Sequence, residues 1–165
     1  MTILSLCQLQ KARTGFLSNI KESCYESFPL WITLASKGLR FIEAYETRRW
    51  KNISTNKWSL YTAKMSEERI FDKEEINERF LSKLNSDEQY TSIYSYRTLL
   101  RQFDIYFPYS GARIGQRAIK THIFRHIRAL ELYEGGMSKE MIQKYLGHYN
   151  GESTNFYLNK DIYIA

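Results

Sequence analysis

The stretch HIFRHIRALELYEGGMSKEMIQKYLGHYNGESTNFYL, residues 122–158, contains the sharpest structural signals of this chain. Its first part predicts a helix with Thr121 as N-cap, ended by the glycines at 135 and 136. Ser138 is the expected N-cap of a second helix, KEMIQKYL. Gly147 ends that helix, because glycine adopts the left-handed conformation of a helix stop without steric cost.

Two residues of this stretch pose a functional question. His148 follows the predicted helix stop, and Tyr157 comes nine positions later on a last short helix, STNFYL. Packing is one explanation, since the chain has 13 tyrosines and most tyrosines in a folded protein pack. The other explanation is chemistry on a phosphodiester, with Tyr157 as nucleophile.

Length and composition limit both explanations. A chain of 165 residues with 43% apolar and 15% aromatic content is sufficient for one globular core, so residues 1–165 are interpreted as a single domain. The apolar patch in MTILSLCQLQK is too short for a signal peptide or a membrane span. We therefore expect a cytoplasmic protein with no membrane partner.

Charge favours an anionic partner. Lys and Arg number 24 against 18 acidic residues, giving a formal net charge of +6 and a pI near 9.2. The segment 105–130 contains no acidic residue, whereas acids gather in SEERIFDKEEINER, residues 66–79. A basic run can be a solvated face, but here it indicates nucleic-acid binding. The candidate DNA-contacting residues in it are Arg113, Arg117, Lys120 and Arg128.

The remaining segments place the other candidate residues. Apolar spacing predicts helices up to Gly38, after which Arg40 opens a helix running through LRFIEAYETRRW. WKNIS, KWSLYTAK and ERIFD are short, aromatic and β-branched, which predicts a small antiparallel sheet with Lys64 in its second turn. Apolar stripes at 76–84 and 93–107 predict two further helices. The predicted fold class is mainly α with a small three-stranded antiparallel β-sheet (α+β).

Each candidate residue is weak by itself. His122 and Arg125 lie three positions apart on one helix and can address one anion, but an HxxR pattern is common by chance. Arg40 alone is interpreted as a surface charge, and Lys64 as an ordinary turn residue. Lys57 and Lys51 compete with Lys64 for any role that needs a lysine of this sheet.

Order and spacing together resemble the catalytic domain of the tyrosine recombinases, the phage integrase family. The matching elements are SKGLRFIEA, a lysine in a β-turn, HIFRH, LGH and a tyrosine nine residues on. The resemblance covers roughly residues 10–160 and implies site-specific recombination of double-stranded DNA through a 3′-phosphotyrosine. The residues that it marks as catalytic are Arg40, Lys64, His122, Arg125, His148 and Tyr157.

The chemistry suits these residue types. Two arginines hold the phosphate as negative charge grows on its oxygens, His122 helps to deprotonate Tyr157, and Lys64 supplies a proton to the leaving 5′ oxygen. His148 donates a hydrogen bond to the phosphate. No metal, small-molecule cofactor or ATP is needed for such a reaction, and no Cys/His cluster has metal-ligand spacing. Cys7 and Cys24 are interpreted as buried, unpaired small side chains.

The resemblance leaves alternatives open. Relatives carry an N-terminal core-binding domain that closes around DNA, and we expect that domain to be absent here. The tail LNKDIYIA could dock on a neighbouring subunit, so self-association on DNA is expected. The alternatives are DNA relaxation of the type IB topoisomerase kind and a non-catalytic DNA-binding module. The many Ile, Asn, Lys and Tyr residues indicate an A+T-rich genome or a mobile element.

Overall fold

The computed structural model of this chain describes residues 1–63, 67–86, 94–148 and 151–165. Within them, helices α1 to α8 are Leu6–Ser23, Phe28–Lys37, Phe41–Tyr45, Glu78–Asn85, Tyr96–Tyr106, Ile123–Glu134, Lys139–Leu146 and Gly151–Tyr157. Strands β1 to β7 are Thr2–Ile3, Trp50–Ser54, Lys57–Tyr61, Glu68–Asp72, Arg113–Ile114, Arg117–Ala118 and Ile162–Ile164. The predicted fold class, mainly α with a small three-stranded antiparallel sheet, is confirmed.

The predicted sheet consists of β2, β3 and β4 in sequence order, with antiparallel neighbours. Its inner face places Trp58, Leu60 and Phe71 in the core. Trp50, the first residue of β2, stacks on Phe71 at 5.7 Å between ring centroids. The three strands are thereby packed on the helical part of the molecule.

A second, four-stranded sheet was not predicted. Its strand order is β1-β7-β5-β6, and all neighbours are antiparallel. The strands are two or three residues long, so they carry no alternating pattern that a sequence could reveal. The tail LNKDIYIA supplies β7, which pairs with β1 and β5 of the same chain, and Ile162 is fully buried there.

The helical core is built around aromatic side chains. Phe16 of α1 lies edge-on to Trp31 of α2 at 5.2 Å between centroids and 5.3 Å from Phe124 of α6. Trp31 donates its Nε1 hydrogen to the side-chain oxygen of Gln102 at 3.0 Å, which satisfies the buried indole. This cluster fixes α6 against α1 and α2 and thus fixes the helix that follows His122.

Two left-handed glycines end helices beside the candidate site. Gly38 (φ 65°) ends α2, two positions before Arg40. Gly147 (φ 73°) ends α7, immediately before His148. Ser138 caps α7 by accepting a hydrogen bond from the Met141 amide at 3.2 Å. These predicted helix ends are confirmed.

Three local predictions are wrong. Thr121 does not cap α6, because a 3₁₀ turn, Lys120–His122, precedes the helix; Thr121 lies buried in that turn, and α6 begins at Ile123. The helix after Arg40 ends at Tyr45 and gives way to a 3₁₀ turn before β2. Cys7 is exposed rather than buried, and both cysteines are free thiols.

Candidate active site

One pocket of about 400 Å³ brings together residues that are far apart in the sequence. It lies where the α2–α3 turn, the 3₁₀ turn before α6, the end of α7 and helix α8 meet. Four of its lining residues are cationic or imidazole side chains. The lining residues are Arg40, Arg117, His122, His148, Glu152, Ser153, Phe156 and Tyr157.

Tyr157 lies at the centre of this arrangement. Its hydroxyl is 2.8 Å from Nδ1 of His122. Its ring is nearly parallel to that of His148, with centroids 5.2 Å apart, and the guanidinium carbon of Arg125 lies 5.1 Å from the ring centroid. Only 7% of Tyr157 is exposed, so helix α8 holds the phenol inside the pocket wall.

His122 is a neutral imidazole at physiological pH. Burial first, and then the positive charges of the neighbouring arginines, lower the pKa of His122 to about 4. In the tautomer that carries its hydrogen on Nε2, the Nδ1 atom accepts the hydrogen of the Tyr157 hydroxyl. The pair therefore has the geometry and protonation state of a hydroxyl beside a general base.

Arg125 lies beneath the pocket floor rather than in its wall. It is fully buried; its Nη1 donates to the carbonyl of Gly38 and its Nη2 to the carbonyl of Leu146, both at 2.6 Å. Burial, followed by the charge of Arg40, lowers the pKa of Arg125 to about 9, which leaves it a cation at neutral pH. One arginine thus ties together the ends of α2 and α7.

Glu43, which sequence reasoning missed, holds Arg40. The fully buried carboxylate accepts from Nη1 of Arg40 at 3.0 Å and from its backbone N–H at 2.8 Å. Burial opposes ionisation, but the charges of Arg125 and Arg40 and two backbone N–H groups outweigh it, so the pKa of Glu43 is lowered. The RxxE spacing is the signal that could have revealed this partner, because it places Glu43 at the third helical position, from which its side chain reaches back to the residue that opens the helix.

Thr154 is a second residue that sequence reasoning missed. Its Oγ1 lies 2.9 Å from Nδ1 of His148, and Thr154 is 1% exposed. Thr154 and Tyr157 are three positions apart on α8, so the same helix orients the imidazole of His148 and presents the phenol.

The four candidate DNA-contacting residues lie in different places. Arg117 lines the pocket, with its guanidinium 4.8 Å from the Phe156 ring centroid. Lys120 lines a neighbouring groove of about 420 Å³, which shares Arg40 and His122 with the first pocket.

The other two arginines have contacts outside the pocket. Arg113 donates to the carbonyl of Gln116 in its own hairpin. Arg128 contacts the Tyr145 hydroxyl and lies 3.7 Å from the carboxylate of Glu131.

Lys64 lies outside the described residues. The residue before it, Ala63, contacts the site, because its amide donates to Glu43 at 3.0 Å. Of the competing lysines, Lys57 forms an exposed ion pair with Asp72 at 2.7 Å, and Lys51 is exposed on β2.

Neither a metal-ligand cluster nor a membrane-spanning helix is found in residues 1–63, 67–86, 94–148 and 151–165. In them, no group of three or more His, Cys, Asp or Glu side chains has the arrangement of a metal site. No helix among these residues has the length and apolar content needed to cross a bilayer.

A sequence model of the phage integrase family matches residues 30–162, so this chain belongs to that family. Comparison with curated protein sequences gives no significant match.

Three solved structures have a similar fold at low sequence identity. The pre-cleavage complex of the XerH site-specific recombinase with difH substrate aligns with TM-score 0.61 and 17% identity, covering 96% of this chain and 50% of that chain. The post-cleavage complex with palindromic difH gives TM-score 0.61 and 17% identity, with 96% and 49% covered. XerA recombinase gives 0.59 and 17%, with 96% and 58% covered. This chain thus spans about half the length of the structures that it matches.

Proposed function

We propose that this chain is the catalytic domain of a site-specific tyrosine recombinase, which breaks and rejoins double-stranded DNA through a 3′-phosphotyrosine. The observation that carries the proposal is the 2.8 Å contact between the Tyr157 hydroxyl and Nδ1 of His122, in a pocket that also contains Arg40. A phenol beside a neutral base and an anion-binding cation is the set of groups that attack on a phosphodiester requires. Membership of the phage integrase family supports the same activity.

The proposed reaction begins when Tyr157 attacks the scissile phosphorus. Oη of Tyr157 forms a bond to phosphorus while its proton passes to Nδ1 of His122. The bond between phosphorus and the 5′ oxygen breaks, and Lys64 protonates that leaving oxygen. Attack by a 5′ hydroxyl on the phosphotyrosine reverses these steps and rejoins a strand. The proposed assignment of Lys64 is supported by the contact of the preceding residue, since the amide of Ala63 donates to Glu43.

Charge stabilisation is assigned to Arg40, Arg125 and His148. Arg40 is already in the pocket, held by Glu43. Arg125 is covered by the ring of Tyr157, so in this proposal the tyrosine moves off the guanidinium when the phosphate enters. The developing charge on the phosphate oxygens then meets preorganised donors that need no further rearrangement.

DNA is the proposed partner, and Arg117 and Lys120 are the proposed contacts beside the pocket. Both lie in the wall of the pocket or of the adjoining groove, where a phosphate next to the scissile one can reach them. Self-association on DNA and the single-domain organisation remain part of the proposal. The two XerH structures are complexes with difH substrates, which supports duplex DNA as the ligand class.

The test uses duplexes with a randomised central stretch, in which one strand is labelled at its 5′ end and nicked at the 3′ border of that stretch. When cleavage occurs a few nucleotides before the nick, the short fragment with the 5′ hydroxyl diffuses away, so the phosphotyrosine on the labelled strand is trapped and survives denaturing electrophoresis. We expect an adduct band, and sequencing the trapped DNA reveals the site. Strand exchange by the selected site distinguishes a recombinase from an enzyme that only relaxes DNA. Binding of the library without any adduct would contradict the proposal and indicate a non-catalytic module.

A further inference from the structure

A buried arginine outside the proposed catalytic set lies between the three-stranded sheet and the ends of α2 and α7. Arg69 of β4 is only 3% exposed. The first, third and fifth residues of this strand, Glu68, Ile70 and Asp72, face solvent. Arg69 and Phe71 are the two residues of this strand that face the core. A charged side chain on the inner face of a strand is costly to desolvate, so packing alone does not account for an arginine there.

The contacts of Arg69 connect two turns. Its Nη2 donates to the carbonyl of Lys37 at 2.8 Å, immediately before the left-handed Gly38. Its aliphatic stem lies against Gly147, where an added Cβ would come within 3.2 Å of both Cγ and Cδ of Arg69. The guanidinium lies between the rings of Phe71 and Tyr145, 4.8 Å from each centroid.

These two turns carry proposed catalytic residues. Arg40 follows the Gly38 turn, and His148 follows Gly147 directly. Arg125 bonds the neighbouring carbonyls, those of Gly38 and Leu146. The ends of α2 and α7 are therefore joined by two buried arginines, one beneath Tyr157 and the other on the sheet side.

Much of the hydrogen-bonding capacity of Arg69 is unused. Within the described residues, its Nε and Nη1 atoms are buried and have no hydrogen-bond partner. Burial lowers the pKa of Arg69 to about 10, which still leaves it charged at neutral pH. A methionine of similar length would fill the space between the two rings without this desolvation cost. The arginine thus forms a hydrogen bond to the Lys37 carbonyl that an apolar side chain could not form, although the apolar side chain would cost less to bury.

We propose that Arg69 is a positioning residue of the active site, which holds Arg40 and His148 at their working separation through the Lys37 carbonyl and the Gly147 turn. The expected effect on catalysis rests on the proposed function. Its structural part, the joining of the two turns, holds whatever the substrate is. A displacement of about 1 Å between such groups is enough to lower a rate by about 100-fold.

The first experiment measures how well the backbone of the two turns is protected from hydrogen exchange in the absence of DNA. Amide hydrogen exchange reports on the Leu39 and His148 amides, which bond to the Leu34 and Gln143 carbonyls at 3.0 and 2.9 Å. We expect faster exchange at both amides in Arg69→Met. Unchanged exchange at both would overturn the inference, even if no DNA substrate had been found.

The matched control is Arg79→Met. Arg79 also donates to a backbone carbonyl, that of Tyr25, and its guanidinium also lies over an aromatic ring, at 4.0 Å from the Tyr25 centroid. Arg79 is not among the residues that line the pocket, so we expect its substitution to leave exchange at Leu39 and His148 unchanged.

The second experiment measures the rate of adduct formation in a single turnover at saturating DNA, on the substrate selected by the randomised library. Arg69→Met is expected to lower this rate by about tenfold or more while the Kd for DNA changes less than about threefold. In an Arg40→Ala background the same substitution should cause little further loss of rate, because Arg69 acts through the position of Arg40.

A rate within twofold of wild type in folded Arg69→Met would overturn the inference. If Arg69→Met does not fold, Arg69→Lys replaces it in both experiments. A wild-type rate of adduct formation and unchanged amide exchange in Arg69→Lys would also overturn the inference. Absence of an adduct in wild type itself is a failure of the proposed function alone.

Discussion

The hydroxyl of Tyr157 and Nδ1 of His122 are hydrogen-bonded at 2.8 Å, although the two residues are 35 positions apart in the chain. Helix α8 supplies the phenol and the 3₁₀ turn before α6 supplies the imidazole. Because the imidazole is neutral, this contact can withdraw a proton from the tyrosine as well as hold it. The buried position of Tyr157 thus serves packing and the proposed chemistry together.

Replacing Tyr157 with phenylalanine is expected to abolish the DNA adduct. The change removes the nucleophilic oxygen and one hydrogen bond to His122, so the free energy of unfolding should fall by only about 1 kcal/mol. DNA affinity, measured by titration, should remain close to that of wild type. Tyr163→Phe is the matched control, since its hydroxyl also bonds within the chain, to the Gly115 carbonyl. An adduct that persists in Tyr157→Phe would assign the nucleophile to another tyrosine, with Tyr163 or Tyr149 the next candidates.

Arg125→Ala is expected to lower stability as well as cleavage. It leaves the carbonyls of Gly38 and Leu146 without their donor and opens a cavity, which should cost about 3 kcal/mol or more of unfolding free energy. Urea unfolding measures this loss. Arg125→Lys keeps a cation but cannot bond both carbonyls in a fork, so we expect intermediate stability and still slow cleavage. Equal stability of all three proteins would contradict the observed carbonyl contacts.

Acid should destabilise the fold before the carboxylates titrate. In the folded chain the pKa of His122 is about 4 and that of His126 about 3, both mainly through burial, against about 6.5 when unfolded. Between these values the unfolded chain binds more protons, so unfolding free energy rises with pH and is lost as pH falls from about 6.5 toward 4.

The limiting slope is about 1.4 kcal/mol per pH unit for each histidine. Urea unfolding at several pH values between 5 and 7 measures it. His122→Gln should remove the contribution of His122 to the slope of unfolding free energy against pH. A flat profile in wild type would show that both imidazoles are more solvated than the structure indicates.

Lys120→Gly separates backbone strain from charge. Among the described residues, Lys120 is the non-glycine residue with positive φ, at 53°, a conformation that costs a side-chain-bearing residue about 1–2 kcal/mol. Lys120→Gly and Lys120→Ala both remove the ammonium group and should weaken DNA binding equally. Only the glycine variant relieves the strain, so its unfolding free energy should exceed that of the alanine variant by about 1 kcal/mol. Equal thermal stability of the two variants would argue against a strained turn.

Arg117→Ala should reduce the salt dependence of DNA binding. Loss of one phosphate contact lowers the slope of log K against log salt concentration by about 1 and weakens binding to all sequences similarly. Arg113→Ala removes the same charge from the same hairpin, but Arg113 already donates to the Gln116 carbonyl, so its slope should change less. Titrations at several salt concentrations compare the two. A larger change for Arg113→Ala would place the DNA on the other side of the hairpin.

Local features of the sequence predicted much of this fold. Gly38, Gly147 and Ser138 end or begin helices where expected, because glycine stops and N-caps act through backbone geometry within a few residues. The β2–β3–β4 sheet was also readable, since its strands are long enough to show aromatic and β-branched composition. The order and spacing of Arg40, His122, Arg125, His148 and Tyr157 singled out the residues that meet at one site.

Long-range contacts decided the rest. A period-two pattern in β4 does not tell which face is inward, and the structure buries Arg69 while leaving Ile70 54% exposed. Glu43, the partner of Arg40, is fully buried and accepts a hydrogen bond from the distant amide of Ala63, neither of which the spacing alone specifies.

Arg125 is the clearest example. The sequence by itself predicted that it is a cation that holds a phosphate, and that role stays a prediction. Only the tertiary structure decided that it bonds the ends of α2 and α7 beneath Tyr157. The physical reason is that helix ends are set by neighbouring residues, whereas burial and hydrogen-bond partners depend on which distant segments pack together.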